Sequence, residues 1–127
     1  MVKLAVTLGD PSGIGPEVVD KAIRAPLDAQ IRIVGSRSGG AREALAAIDE
    51  ALDLARSGKV DGIVTAPVSK ERITRLGILF TGHTEYLADR TGVKLPVMLF
   101  VAGPLRVALV TTHVPLRSLP ELITAER

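Results

Sequence analysis

The chain has 127 residues, 46% hydrophobic, 24% charged and only 2% aromatic, with a formal net charge of +2 and no cysteine. That length suits one compact domain with an aliphatic core, and the missing cysteine excludes disulfides and thiolate metal sites. Basic and acidic residues are interleaved, with no basic stripe and no aromatic platform, so no nucleic-acid surface is expected.

No apolar run approaches the roughly 18–20 residues that a membrane span needs. The N-terminal run meets Gly9-Asp10 too soon for a signal segment. A cytoplasmic protein without membrane contact is therefore expected. With so few aromatic residues, aliphatic strands buried on both faces fit better than a half-exposed antiparallel sheet.

In chain order, Leu4 to Leu8 reads as a buried strand. It enters Gly9-Asp10-Pro11-Ser12-Gly13-Ile14-Gly15-Pro16-Glu17, where the glycines permit tight turning and Pro16 and Glu17 suit a helix start. Such a strand–loop–helix junction can cradle a phosphate or a dinucleotide, or be a plain turn. It lacks the third glycine of the dinucleotide fingerprint and the Gly-Lys-Ser/Thr of a P-loop. Asp10 fits an Asx-type turn. A short helix over Val18 to Arg24 follows, then a strand over Ile31 to Gly35.

Ser36 to Gly40 carries no core residue and reads as a hinge. Ala41 to Arg56 is the clearest helix, with Leu45, Ile48, Leu52 and Ala55 on one face and Gly58 as its left-handed cap. A third strand spans Val60 to Thr65. Ser69 caps the next helix, which Gly77 ends. A further short helix starts near His83-Thr84-Glu85 and stops near Gly92. Val97 to Val101 and Arg106 to Thr111 read as two apolar strands in an antiparallel hairpin across Gly103-Pro104. Ser118-Leu119-Pro120-Glu121 has the form of a capping box opening a helix, which the sequence interrupts at Arg127 after about two turns.

Both histidines stand at junctions between regular elements. His113 follows a strand, where it serves either as a metal ligand or as a strand-end residue bonded to backbone. His83 and Thr84 sit where a helix start offers free N–H groups to an anion; a turn residue and an N-cap are the plainer alternatives. Glu85 fits helix-start electrostatics better than acid catalysis. Lys70 and Arg106 are alternatives for a phosphate contact.

Four motifs in order resemble the 4-hydroxythreonine-4-phosphate dehydrogenases of pyridoxal phosphate (vitamin B6) biosynthesis. They are Thr7 to Glu17, Ile63 to Lys70, Phe80 to Glu85, and Leu105 to Leu116. The resemblance implies an α/β fold, αβα layered and like isocitrate and isopropylmalate dehydrogenases, in a homodimer with a site between subunits. It implies NAD as hydride acceptor and a divalent metal (zinc, magnesium or cobalt), which would lower the pKa of the substrate hydroxyl. The implied reaction oxidises the secondary hydroxyl of 4-phosphooxy-L-threonine, after which the β-keto acid loses carbon dioxide. His83 and Thr84 match the family's substrate contacts, and His113 matches a metal ligand.

Members of that family are more than twice as long. The expectation is therefore one α/β domain over 1–127, matching the N-terminal part of the family, with an internal deletion near 36–40. Two histidines cannot complete a metal site of three or more donors. A non-catalytic phosphometabolite-binding or dimerisation remnant is the alternative function.

Overall fold

A computed structural model of the chain describes residues 1–125. The chain divides into two compact units, Met1–His83 and Thr84–Arg127.

The first unit is a layered α/β structure. β1 (Val2–Thr7) runs into α1 (Gly15–Ala22), β2 (Ala29–Val34), α2 (Ala41–Arg56), β3 (Gly62–Thr65) and α3 (Lys70–Thr74). The three strands form a parallel sheet in the order β2-β1-β3, with Val6 opposite both Ile33 and Val64. Alternation along β1 divides its side chains between two helical layers. Ala5 packs with Val34, Ala47, Ala51 and Leu54 on the α2 side. Val6 and Leu8 pack with Val19 and Ala66 on the α1 side.

α2 carries most of this core. Its Ala- and Leu-rich sequence favours helix, and Ala44, Ile48 and Ala51 are wholly buried. The Gly40 N–H donates to the Glu43 carboxylate at 2.7 Å, satisfying one of the first turn's spare donors. Gly58 ends the helix at φ +68°, and the Lys59 N–H returns to the Leu54 carbonyl at 2.9 Å. That is the left-handed closure expected from sequence. α1 is half as long and covers its side less completely. A groove of about 310 Å³ remains there, lined by Leu4, Val6, Val18, Ile23, Leu27 and Val64.

β3 starts at Gly62, two residues later than expected. The Asp61 carboxylate takes the Lys3 N–H at 2.7 Å, and the Asp61 N–H donates to the Lys3 carbonyl at 2.7 Å. A side chain thus occupies the first rung, and the ladder begins beyond it.

The second unit holds most of α4 (His83–Thr91), then β4 (Met98–Ala102), β5 (Leu105–Leu109) and α5 (Leu119–Leu122). β4 and β5 form the expected antiparallel hairpin, with Phe100 opposite Val107, and Gly103 turns it at φ +57°. Their burial departs from the expected double-sided packing: Leu99, Phe100, Val101 and Leu105 are each at least 55% exposed. The Ser118 capping box does not form either. A 3₁₀ turn over Leu116–Ser118 leads straight into α5, so Ser118 already has helical backbone and its side chain makes no cap bond. An N-cap needs a non-helical residue. The end of the expected helix, Glu126 and Arg127, lies outside the described residues.

Candidate functional site

Because the three strands of the first unit are parallel, their carboxyl ends open on one edge. The chain leaves β1 for β2 on one side and later reaches β3 on the other. The gap between the loops after β1 and β3 is thus a topological switch point, where open α/β sheets bind ligands. A cleft of about 340 Å³ lies there, lined by Asp10, Gly13, Ile14, Val68, Ser69 and Arg72.

Asp10 ties this cleft together. It is 2% exposed. One carboxylate oxygen accepts the Ser12 N–H at 2.9 Å, which is the Asx turn expected from sequence. The other accepts Arg72 Nη1 at 3.1 Å. The Asp10 N–H donates to the Pro67 carbonyl at 3.0 Å. A buried carboxylate without such partners is costly, so each contact fixes the loop. Sequence reading gives Arg72 no partner. The available signal was topological: loops that follow adjacent parallel strands meet at the same edge.

The glycines of the loop have backbone reasons. A Cβ on Gly9, at φ +71°, would fall 2.3 Å from the Pro67 carbonyl oxygen. One on Gly15 would fall 2.2 Å from the Leu8 carbonyl oxygen. These two positions serve the packing of loop on loop rather than an approaching ligand. Ser12 extends the network, its hydroxyl donating to the Gly39 carbonyl at 3.1 Å. The Thr7 hydroxyl, fully buried, accepts the Ala66 N–H at 3.3 Å.

α3 is short, and its attachments are specific. Ser69 caps it by accepting the Arg72 N–H at 3.3 Å, as expected. Ile73 is wholly buried and Arg72 reaches Asp10. Lys70, at the start of the same helix, is exposed, and its positive charge acts on His83.

His83 closes the first unit and opens α4. Its ring meets Phe80 edge-on, with centroids 5.7 Å apart and planes at 82°. Its Nε2 is buried and has no hydrogen-bond partner among the described residues. Burial first, and the Lys70 charge second, push the His83 pKa below the ordinary imidazole value. The neutral form of the side chain is therefore favoured, with an unsatisfied ring nitrogen that suits a polar ligand.

Thr84 is the first residue of the second unit and the second residue of α4. The helix starts one residue earlier, so Thr84 is not its N-cap. His113 lies in the second unit, four residues past β5, exposed, with φ +52°. It is the only non-glycine residue with positive φ among the described residues. Left-handed backbone is uncommon outside glycine, and histidine is among the residues that adopt it more often. Arg106 is exposed on β5, opposite Val101.

A metal does not fit the described residues by donor count. Among them, no group of three or more His, Cys, Asp or Glu side chains converges to hold an ion. His113 offers one imidazole, and the two or three further donors of a typical site are not supplied beside it. Also among the described residues, no helix is long and apolar enough to cross a membrane.

A protein-family model described as pyridoxal phosphate biosynthetic protein PdxA matches residues 16–127. The curated 4-hydroxythreonine-4-phosphate dehydrogenase of Thioalkalivibrio sulfidiphilus is 35% identical over 172 aligned residues, taking in 96% of this chain and 52% of that protein. The aligned stretch exceeds the 127 residues of this chain, so the relative holds residues within it that have no counterpart here. The crystal structure of a 4-hydroxythreonine-4-phosphate dehydrogenase from Burkholderia phymatum matches with a TM-score of 0.75 and 27% identity, covering 91% of this chain and 51% of that one. A Salmonella typhimurium structure, at 24% identity, shares the fold with a TM-score of 0.86 over 99% of this chain and 55% of its own. The chain spans about half the length of the curated relatives it matches.

Proposed function

The chain belongs to the PdxA family of pyridoxal phosphate biosynthetic proteins, and from that premise we propose that it serves the oxidation of 4-phosphooxy-L-threonine at its secondary hydroxyl, with decarboxylation following. In this reading NAD accepts the hydride, the protein is cytoplasmic and homodimeric, and the chain contributes the substrate-binding part of the site. The proposal also takes 1–127 as a single functional domain, with the relatives' additional segment falling at Ser36 to Gly40. The length of the Thioalkalivibrio alignment supports such a segment.

The observation that carries the reading is His83. It matches the family's substrate position, and its buried Nε2 has no partner among the described residues. A neutral imidazole can donate to a phosphate or hydroxyl oxygen through one ring nitrogen. The first N–H groups of α4 are unsatisfied by helix geometry and favour an anion, and Lys70 adds a nearby positive charge. Thr84 supplies a hydroxyl one residue on. His113 remains the proposed metal donor; because its co-ligands are not among the described residues, no step is routed through a metal here.

That donor count favours a second reading for the chain by itself, a phosphometabolite-binding or dimerisation remnant without catalysis. The two are separated by giving the purified chain 4-phosphooxy-L-threonine, NAD and a divalent metal, following NADH absorbance and, in parallel, heat of binding. Substrate binding that weakens at least tenfold in His83→Ala is expected. NADH formation supports the enzyme; binding without NADH supports the remnant. No binding at all overturns the enzyme and the phosphometabolite-binding remnant, and a monomer by light scattering then overturns the dimerisation remnant as well.

A further inference from the structure

We propose that Phe80 is a positioning residue: its buried ring fixes the plane of the His83 imidazole, and so the direction in which Nε2 meets the substrate. The inference rests on the functional reading of His83 above and deepens it by naming what sets the geometry of that side chain.

His83 needs such a support. An imidazole turns broadly about χ2, because that torsion joins a tetrahedral carbon to a planar ring. A buried polar atom without a partner is costly, so an unsupported ring would swing its Nε2 to water. In this chain the Nε2 is buried all the same, with no hydrogen-bond partner among the described residues. No hydrogen bond at Nε2 holds it there, but a ring contact does. The Phe80 and His83 centroids lie 5.7 Å apart, with planes at 82°. That edge-to-face arrangement is one that aromatic rings prefer, and it is directional where aliphatic packing is not.

Composition sharpens the assignment. The chain has two phenylalanines, one tyrosine and no tryptophan. Phe100 is largely exposed and Tyr86 is half-buried, so Phe80, 4% exposed, is the one buried benzene ring among the described residues. The cores on the α1 and α2 sides of the sheet are aliphatic throughout. Where only volume is wanted, this chain uses Ala, Val, Leu or Ile. Its one buried phenyl ring stands against the imidazole. Only Thr81 and Gly82 separate the two residues, so the contact is made within one short loop.

The test is a double-mutant cycle on binding of 4-phosphooxy-L-threonine by calorimetry, with proton NMR titration of the imidazoles beside it. Phe80→Leu keeps an apolar side chain and removes the ring. It should weaken binding about threefold to tenfold, the range that an aromatic pair supplies. In the His83→Ala background the same change should have no further effect. The His83 titration midpoint should rise in Phe80→Leu, since less of the imidazole is covered. Ile48→Val, a truncation at a wholly buried residue of α2, should move neither quantity. Equal losses of binding with and without His83, or an unmoved midpoint, would each overturn the proposal. Should Phe80→Leu not fold, the unaltered chain decides. Strong cross-relaxation between the Phe80 and His83 ring protons, with a single χ2 state for His83, supports the proposal, and averaging between χ2 states overturns it. If the unaltered chain binds no substrate, the functional reading falls, while the titration and the cross-relaxation still decide whether Phe80 holds the ring.

Discussion

Ala5 and Phe100 both lie on strands made largely of Ala, Val and Leu, yet Ala5 is fully buried and Phe100 is 55% exposed. The difference lies in what each strand was given as a neighbour. β1 sits between two parallel strands, with α2 on one face and α1 on the other. β4 has only β5. Aliphatic composition therefore announces burial without securing it. The first unit packs a core of its own, most completely under α2. The second leaves both faces of its hairpin largely open.

The strongest way to break this contrast is to empty the first unit's core. Ile48 is wholly buried on α2. Ile48→Ala removes three carbons from a closed site and should cost about 3 kcal/mol, within the roughly 2–5 kcal/mol usual for such truncations. Urea unfolding followed by circular dichroism measures it. A loss under about 1 kcal/mol would mean the layers are loosely packed, and the contrast with the hairpin would fail.

A smaller effect is expected at the cleft. Arg72→Ala strands the Asp10 carboxylate, which is 3% exposed at its side chain, while the arginine side chain is 47% exposed. Breaking a fully buried pair costs about 3–5 kcal/mol and an exposed pair less than about 1 kcal/mol. This half-screened pair should fall at about 1–2 kcal/mol. Asp10→Asn with Arg72→Ala should recover part of the loss, because the unpaired charge is gone. A double-mutant cycle reads the coupling directly.

These two sites also mark what was legible in the sequence. Helical periodicity placed α2 at Ala41–Arg56, and the turn residues Gly58, Gly77 and Gly92 were recognised as helix ends. Such features are local, set by side-chain spacing and by the freedom of glycine at positive φ. The Asx turn at Asp10 and the Ser69 cap were legible for the same reason. The Asp10–Arg72 pair was not, because it joins residues 62 positions apart and depends on strand order. The exposure of the hairpin was not legible either, since an apolar strand reads alike whether covered or bare. The Ser118 motif misled because the preceding 3₁₀ turn had already bent that residue into helical backbone. The family motifs supplied His83, Thr84 and His113 as residues, but not the burial of His83 or the left-handed backbone of His113.

Acid should expose the role of His83 with a more modest effect. Burial and then the Lys70 charge hold its folded pKa below the unfolded value of about 6.5. The folded state thus binds this proton less readily than the unfolded chain. The stabilising contribution of the neutral ring is complete above the unfolded pKa and is lost as pH falls through the folded value. Proton NMR titration of the imidazole resonances should give His83 a midpoint below the ordinary histidine value. Lys70→Gln should move that midpoint upward, though by less than exposing the ring would, because burial is the larger cause. An unmoved midpoint in Lys70→Gln would separate the two residues and weaken the anion-binding reading of α4.

The smallest effect is expected where the exposed apolar surface is greatest. Phe100→Ser would be severe in a packed core, at about 3–5 kcal/mol for loss of a buried phenyl ring. Here the ring is more than half in water in both the folded and the unfolded chain, and its cross-strand contact is to Val107, itself 40% exposed. Only the pair interaction is lost, about 0.2–1 kcal/mol. Unfolding of the chain alone should therefore shift by no more than about 1 kcal/mol. The comparison between the units thus becomes a comparison of two truncations: Ile48→Ala should be costly and Phe100→Ser mild, in line with 0% and 55% exposure. A large loss for Phe100→Ser in the isolated chain would show that the second unit buries its own strands, and the distinction drawn between the two units would fall.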